Sequence, residues 1–203
     1  MAAVETLLFD MDGVFCAYDF PTRLNHLEDV TGVPAAEIEA RIFKSGFEDG
    51  ADLGHYGADG YIKEIARLLD TDMDRNTWLA ARAASMTPWP EMAQLARDLK
   101  GRHPIAMLSN NGWLLREAIG GIMPELPEVF GERLFFSAEL GGGKETPATF
   151  TTLLAVLGWQ PATTLFIDDS ETYIASAAEA GLQTFTFSDV AGFRAELLER
   201  GLI

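Results

Sequence analysis

One stretch near the N-terminus, residues 7–14 (LLFDMDGV), constrains the fold of this chain more than any other. An apolar run followed at once by two aspartates and a glycine is typical of a buried parallel strand that ends in a turn. Side chains alternate along an extended chain, so Asp10 and Asp12 are expected on the same side. Two carboxylates about 4 Å apart repel by about 4 kcal/mol at an effective dielectric of about 20, which a cation would offset. The same residues also fit a helix N-cap or an Asp-Gly turn, and the stretch alone does not decide between these interpretations.

Alternating strands and helices through the second half of the chain predict a doubly wound parallel sheet. Apolar runs of strand length occur at residues 105–108, 134–136, 164–167 and 183–187. Helical patterns occur at residues 91–100, 113–119, 147–157, 172–180 and 190–200, whereas residues 120–131 look irregular. We therefore predict an α/β, Rossmann-like fold in which the N-terminal strand belongs to the same sheet.

A helical insertion is predicted directly after the first strand. Helical patterns cover residues 21–31, 35–44, 58–69 and a segment that begins at residue 74 or 76. Residues 46–57 are rich in glycine and acids and are expected to form a loop, and no convincing strand is found in this part of the chain. The predicted domains are an α/β core of residues 1–14 and 88–203 and a helical cap of residues 15–87. The turn-favouring residues 87–90 are the expected hinge.

The charge balance of the chain excludes several classes of function. Lysine and arginine number 15 against 31 acidic residues, which gives a formal net charge of −16 in 203 residues. Such a surface repels nucleic acids and anionic membranes, and no apolar run approaches the roughly 20 residues of a membrane span. An anionic substrate would need a local positive site, from a metal, a lysine or helix N-termini. The single cysteine, Cys16, excludes an intramolecular disulfide and fits the cytoplasm, and no signal peptide is indicated.

Polar side chains follow four of the predicted strands. In addition to the first aspartate pair, Ser109 ends one strand, Lys144 lies beyond the next, and Asp168 and Asp169 end a third. Each could separately be a helix cap or a solvated side chain. Because the carboxyl ends of parallel strands meet at one edge of a sheet, all of them together predict a functional pocket there.

The order of these motifs resembles the haloacid dehalogenase (HAD) superfamily, specifically its phosphatases with a helical C1 cap. The matching segments are FDMDGV at residues 9–14, LSN at 108–110, Lys144 with Pro147, and IDDS at 167–170. The helical insertion lies where that cap lies in the family. Two positions depart from the family pattern, since Glu145 follows the lysine and Tyr173 replaces a usual Asn or Asp.

The resemblance implies a catalytic role for three residues. Asp10 would be the nucleophile that forms an aspartyl-phosphate, and its carboxylate, with a reference pKa of about 3.9, is expected to be charged at neutral pH and to need no activating base. Asp12 would protonate the leaving oxygen and then activate water. Lys144 would bridge the nucleophile and the phosphate and offset the charge that develops.

The resemblance also implies how phosphate and metal are bound. Ser109 and the backbone amide of Asn110, together with Lys144, would hold the phosphoryl oxygens. A Mg²⁺ ion would be held through hard oxygen ligands by four residues, Asp10, Asp12, Asp168 and Asp169. Asp12 would contribute its backbone carbonyl.

The predicted function is Mg²⁺-dependent hydrolysis of a small phosphorylated metabolite. Asp12 favours phosphoryl chemistry over dehalogenation, because a halide leaves without a proton. Two alternatives stay open: a phosphomutase of the same fold, and a non-catalytic phosphate- or metal-binding module, of which a receiver-like domain is one version. Substrate identity and the choice between monomer and dimer also stay open. Candidate cap residues that face the site are Tyr18, Phe20, Arg23, Phe43, Lys44, Phe47, His55 and Tyr56.

Overall fold

The structure, a computed structural model, describes residues 2–203. Seven strands occur among these residues and form two sheets. In chain order the strands are β1 (Thr6–Phe9), β2 (Cys16–Tyr18), β3 (Met86–Pro88), β4 (Ile105–Ser109), β5 (Leu134–Phe136), β6 (Thr164–Asp168) and β7 (Gln183–Thr186). Between and after them lie the helices α1 (Phe20–Thr31), α2 (Ala35–Ile38), α3 (Phe47–Asp52), α4 (Ala58–Leu69), α5 (Arg75–Ala84), α6 (Pro90–Lys100), α7 (Trp113–Ile122), α8 (Glu125–Phe130), α9 (Ser137–Leu140), α10 (Pro147–Leu157), α11 (Glu171–Glu179) and α12 (Val190–Glu199). A π-helical turn, Glu39–Phe43, continues α2, and single 3₁₀ turns occur at Gly131–Arg133 and Pro161–Thr163.

The main sheet is parallel and has the order β5-β4-β1-β6-β7. Strand β1 lies at its centre, where Leu8 pairs with Ala106 on one side and with Phe166 on the other. All four residues of β1 are buried, as expected for a strand that is covered on both faces. The α/β, doubly wound fold predicted from the sequence is therefore confirmed.

Helices cover both faces of this sheet, and the alternation of side chains in β1 produces two separate cores. Leu7 and Phe9 pack on one face against the apolar residues of α6, α7, α8 and α12. Leu8 packs on the other face with Phe150 of α10 and Ala177 of α11. Because both faces are occupied, the carboxyl-terminal edge of the sheet is where polar side chains can gather.

The helical block between β2 and β3 has its own core. Helices α1, α2, α3, α4 and α5 bury an apolar cluster around Trp78, to which Leu114 of α7 also contributes. The two short strands β2 and β3 pair antiparallel and join this block to the sheet domain. The predicted domain limits, 1–14 with 88–203 and 15–87, place this ribbon close to both borders. Those limits stay a prediction, and residue 1 lies outside the described residues.

Three sequence-based expectations about local structure are wrong. Residues 47–52, expected in a loop, form α3, because Phe47 and Ala51 lie one turn apart and both face the cap core. Residues 125–130, expected to be irregular, form α8, whose Leu126 and Val129 pack under the sheet. The strands β2 and β3 were not expected, because three residues are too few to show alternation.

Within the described residues, no helix is both long enough and apolar enough to cross a membrane.

Candidate active site

The carboxyl-terminal edge of the main sheet opens into a cleft of about 580 Å³. Asp10 directly follows β1, Ser109 ends β4, and Lys144 lies in the loop between α9 and α10. Asp169 follows β6 and lines the same cleft. The strand ends therefore bring together the residues that the sequence motifs singled out, and Asp12, Asn110 and Tyr173 join them in the lining.

Lys144 lies between two buried carboxylates. Its Nζ is 2.6 Å from Oδ1 of Asp10 and 2.7 Å from Oδ2 of Asp168, and all three side chains are buried. Burial alone would lower the pKa of Lys144, but the two carboxylates raise it above its usual value, so the ammonium form is held firmly.

The surroundings of Asp10 disfavour its ionised form. Burial raises its pKa to about 8, and nearby Asp168 adds to this effect although Lys144 lowers the pKa. One ammonium group cannot neutralise two carboxylates, so the site in this form retains an excess of negative charge. The expectation that Asp10 has an ordinary pKa is therefore wrong for the metal-free site, because burial and a second acid were not visible in the sequence.

Three acids are placed so that a cation could neutralise this excess. One oxygen atom from each of Asp10, Asp168 and Asp169 can be chosen so that all three lie within 4.8 Å of one another. Both oxygens of Asp168 already accept hydrogen bonds, from Lys144 and from the backbone N–H of Ser170, which fixes the orientation of its carboxylate. Burial, and then Asp168, raise the pKa of Asp169, so a positive charge would favour its ionised form. A cluster of hard carboxylate oxygens fits Mg²⁺.

The turn after β1 is shaped to admit Asp169. Gly13 has a φ of +78°, and a Cβ atom added there would lie 2.2 Å from Oδ2 of Asp169. The glycine of the first motif is thus required both by its backbone conformation and by the close approach of this carboxylate.

Asn110 fastens the loop that carries Lys144 to the end of β4. Its Oδ1 accepts a hydrogen bond from the backbone N–H of Lys144 at 3.0 Å. Its Nδ2 donates to Oε1 of Glu145 at 3.0 Å and is 3.4 Å from the hydroxyl of Tyr173. The ring of Tyr173 also lies 4.5 Å from the ammonium of Lys144. Both departures from the family pattern, Glu145 and Tyr173, therefore contact the residues that hold the lysine loop.

Ser109 lies at the bottom of the cleft and is buried. Its Oγ accepts a hydrogen bond from Nδ2 of Asn111 at 2.9 Å. The backbone N–H of Asn111 in turn donates to Oγ of Ser137 at 3.0 Å. The turn after β4 is thus fixed by side chains, and its hydroxyl has a defined position facing the cleft.

The carboxylate of Asp12 contacts the helical block between β2 and β3. It forms an ion pair with Arg82, which is buried near the end of α5. The Arg82 guanidinium lies 4.1 Å from the ring of Tyr18, and Sγ of Cys16 lies 3.5 Å from Oδ1 of Asp12. Sequence reasoning missed Arg82. One signal existed, since Arg82 lies one helical turn after Trp78 on the buried face of α5, where a charge is unusual.

The structure separates the candidate cap residues. Tyr18 lines the cleft, whereas Arg23 and Tyr56 line a smaller neighbouring cavity. The remaining candidates line neither space. Phe20, Phe43 and Phe47 pack within the apolar core of the helical block or against it. Lys44 and His55 are exposed.

Comparisons with known proteins agree with this geometry. A family model described as "haloacid dehalogenase-like hydrolase" matches residues 4–181. A phosphatase of Mycobacterium tuberculosis (strain CDC 1551 / Oshkosh) is 22% identical over 189 residues, covering 90% of this chain and 87% of the relative.

Solved structures show the same fold. A HAD family enzyme of Bacteroides thetaiotaomicron, crystallised as a magnesium complex, superposes with a TM-score of 0.83 at 21% identity and covers 95% of this chain and 99% of its own. The same enzyme with magnesium and inorganic phosphate gives a TM-score of 0.79 at 19% identity, with 94% and 99% covered. A HAD-like family hydrolase from Porphyromonas gingivalis gives 0.83 at 20% identity, with 97% and 98% covered.

Proposed function

The chain belongs to the haloacid dehalogenase-like hydrolases, and we propose that it hydrolyses a small-molecule phosphomonoester through a phosphorylated Asp10. The observation that carries this proposal is the pair of acids Asp10 and Asp12 in one cleft with Lys144. A hydrolase that releases halide needs no acid at the second position, whereas a leaving alkoxide needs a proton. The phosphatase among the relatives, and the phosphate bound to the Bacteroides enzyme, support this choice.

Three residues of this chain would carry out the reaction. Asp10 attacks the phosphorus, and the bond to the leaving oxygen breaks as the new bond to the Asp10 carboxylate forms. Asp12 gives its proton to the leaving oxygen, and then accepts a proton from the water that hydrolyses the aspartyl-phosphate. Lys144 stays close to Asp10 throughout and offsets the charge on the phosphoryl oxygens. The products are an alcohol and inorganic phosphate, and Asp10 and Asp12 return to their initial states.

The phosphoryl group would be held by the turn after β4. Ser109 and Asn110 line this edge of the cleft, and the Ser109 hydroxyl and the Asn110 backbone N–H would be the donors. These donors act on the oxygens that gain charge during the transfer, and their effect is large because the site is partly shielded from water.

We further propose Mg²⁺ as the cofactor. Asp10, Asp168 and Asp169 would hold it, with the backbone carbonyl of Asp12. The bound ion would neutralise the excess negative charge and stabilise the ionised form of Asp10. The support is the carboxylate cluster in this chain and the magnesium complexes of the Bacteroides enzyme.

Two broader assignments belong to the same proposal. Residues 15–87 would act as a cap over the cleft, supported by their separate apolar core and by the two-stranded connection. A cytoplasmic location is supported by the single cysteine, which is buried and forms no disulfide.

Release of inorganic phosphate tests the function. A panel of sugar phosphates, nucleotides, phosphorylated acids and p-nitrophenyl phosphate would be assayed with Mg²⁺ and with a chelator. We expect Mg²⁺-dependent release that Asp10→Asn abolishes and that the control Asp98→Asn, at an exposed position of α6, leaves unchanged. Mg²⁺ binding without any release would contradict a phosphatase. Transfer of phosphate between substrate positions without release would instead identify a phosphomutase.

A further inference from the structure

A second, smaller cavity lies beside the cleft, between the cap and the sheet domain. Its volume is about 30 Å³, and Asn111 lines both spaces. A space of this size accommodates about two water-sized atoms. Two arginines from the cap, Arg23 and Arg82, form part of its wall.

Both arginines are buried and incompletely paired. Arg23 and Arg82 are 6% and 4% exposed, and among residues 2–203 the Nε–H of each has no hydrogen-bond acceptor. Their other contacts are limited, since Arg82 pairs with Asp12 while Arg23 donates to the Tyr18 hydroxyl at 3.2 Å. A buried guanidinium with an unpartnered N–H is costly, and both of these guanidinium-bearing residues line the cavity.

The position of the cavity relates it to the leaving group. In the proposed reaction the leaving oxygen must lie next to Asp12, which protonates it. Arg82 contacts that same carboxylate from the cap side. The remainder of the leaving group is therefore directed toward Arg82 and the cavity behind it.

The negative charges of the acids in the cavity wall are largely neutralised by neighbouring groups or by protonation. The hydroxyl of Tyr61 donates to Glu48, and Arg23 lies 3.8 Å from the same carboxylate. Burial, and then the charge of Glu48, raise the pKa of Asp52 well above its usual value, which favours its protonated form. A protonated Asp52 would be a further hydrogen-bond donor rather than a repelling charge.

We propose that Arg23 and Arg82 bind a carboxylate on the leaving group, so that the substrates are phosphate monoesters of small hydroxy acids. A carboxylate supplies planar acceptors that match guanidinium N–H groups. This inference rests on the proposed function, because that function places the leaving group beside Asp12.

Matched pairs of substrates test the inference. The probes are the phosphate monoesters of hydroxyacetic, 3-hydroxypropanoic and 4-hydroxybutanoic acid. Each is compared with the phosphate ester in which a primary amide replaces the carboxylate. The amide has the same shape but no charge. For at least one chain length we expect the carboxylate to be preferred by about tenfold or more in kcat/KM. In Arg82→Gln and in Arg23→Gln that ratio should approach one, whatever the change in kcat/KM for the amide.

Controls separate recognition from folding. Arg67→Gln removes an exposed arginine of α4 that pairs with Glu64, and it should keep the full preference. Arg82→Lys retains the charge and should keep part of it. Thermal melts identify any variant that fails to fold, and Arg23→Gln with the parent protein then decides the question.

Binding separates this inference from the proposed function. Calorimetric titration of Asp10→Asn protein with the same esters requires no turnover. If this protein binds the carboxylate ester more tightly than the amide ester, and if that preference is lost when Arg23 or Arg82 is replaced, the inference is supported. This holds even if the parent protein releases no phosphate. Equal binding of acid and amide, or a preference that survives both substitutions, would overturn it.

Discussion

At the scale of single residues, one ammonium group serves two carboxylates. Lys144 holds Asp10 and Asp168 at 2.6 and 2.7 Å, and none of the three side chains has appreciable access to water. The arrangement positions the proposed nucleophile, and it also gives an excess of negative charge that either a proton on Asp10 or a bound cation would remove. Structure and chemistry therefore depend on the same three side chains.

Removing the ammonium should affect both folding and activity. In Lys144→Met two buried carboxylates lose their partner, and breaking a buried ion pair costs about 3–5 kcal/mol of the free energy of unfolding. We expect this loss in urea denaturation of the metal-free protein, with activity abolished. The exposed Lys63→Met, on α4, is the matched control and should change neither property. A metal-free Lys144→Met protein as stable as the parent would contradict this account of the site.

The raised pKa of Asp10 predicts the direction of a pH effect. Burial raises this pKa from 3.8 to about 8 in the folded, metal-free protein. Between those values the folded state keeps a proton that the unfolded state has lost, so the contribution of Asp10 to stability falls as pH rises. Relative to the parent, Asp10→Asn should become progressively more stable from about pH 5 to pH 8 in the presence of a chelator. Denaturation curves at each pH measure this difference. A difference that stays constant, or that changes in the opposite direction, would show that Asp10 is not electrostatically penalised.

The residues of the site differ in how far the sequence predicted them. Asp10, Ser109 and Lys144 could be identified because each follows a predicted strand, and parallel strands end at one edge. The pairing of Arg82 with Asp12 could not be predicted, because the two residues are 70 positions apart along the chain and meet only through tertiary packing. The pKa of Asp10 escaped prediction for a related reason, since burial is a property of the folded state.

At the scale of elements, the turn between β1 and β2 lies directly against the carboxylate of Asp169, which follows β6. Its glycine, Gly13, leaves room for the Asp169 carboxylate, which a side chain would displace. The turn therefore contributes to the proposed metal site in two ways, because it carries Asp10 and because Gly13 makes room for Asp169.

A pair of glycines isolates this effect. Gly13 and Gly32 have nearly the same backbone conformation, with φ of +78° and +72°, but nothing lies within 4 Å of a Cβ added at Gly32. Alanine at either position should cost about 1–2 kcal/mol of stability through the backbone. Only Gly13→Ala should also weaken the affinity for Mg²⁺, so that the Mg²⁺ concentration needed for half-maximal activity rises by about 10- to 100-fold. Mg²⁺ titrations of both variants measure this, and equal effects on Mg²⁺ at the two positions would contradict the close approach.

Element prediction succeeded where a pattern was long and failed where it was short. Helices such as α4 and α10 show their start and end in the sequence, and their observed limits agree with those expected. Helix α3 could not be distinguished from a loop, because only Phe47 and Ala51 in its six residues face the cap core. The β2–β3 ribbon is held by pairing between distant segments, which leaves no local pattern.

At the scale of the whole molecule, a strongly acidic chain contains the cleft that we propose binds an anionic substrate. The net charge is −16, yet the cleft combines Lys144 and backbone donors with a cluster of acids suited to a cation. The cap adds two buried arginines on the side where the leaving group would lie. Selectivity for an anionic substrate would thus come from a few buried positive groups rather than from the overall field.

Trapping the phosphorylated enzyme tests the central claim, covalent catalysis through Asp10, most directly. Asp12→Asn cannot accept a proton from water, but p-nitrophenolate leaves without needing one, so the intermediate should accumulate from p-nitrophenyl phosphate and Mg²⁺. Intact mass spectrometry after rapid acid quench, followed by peptide mapping, measures the adduct. The account predicts a mass increase of one phosphoryl group on the peptide that contains Asp10, absent from the Asp10→Asn, Asp12→Asn double variant. Phosphate found on another residue, or release of p-nitrophenol by Asp10→Asn protein at the parent rate, would contradict it.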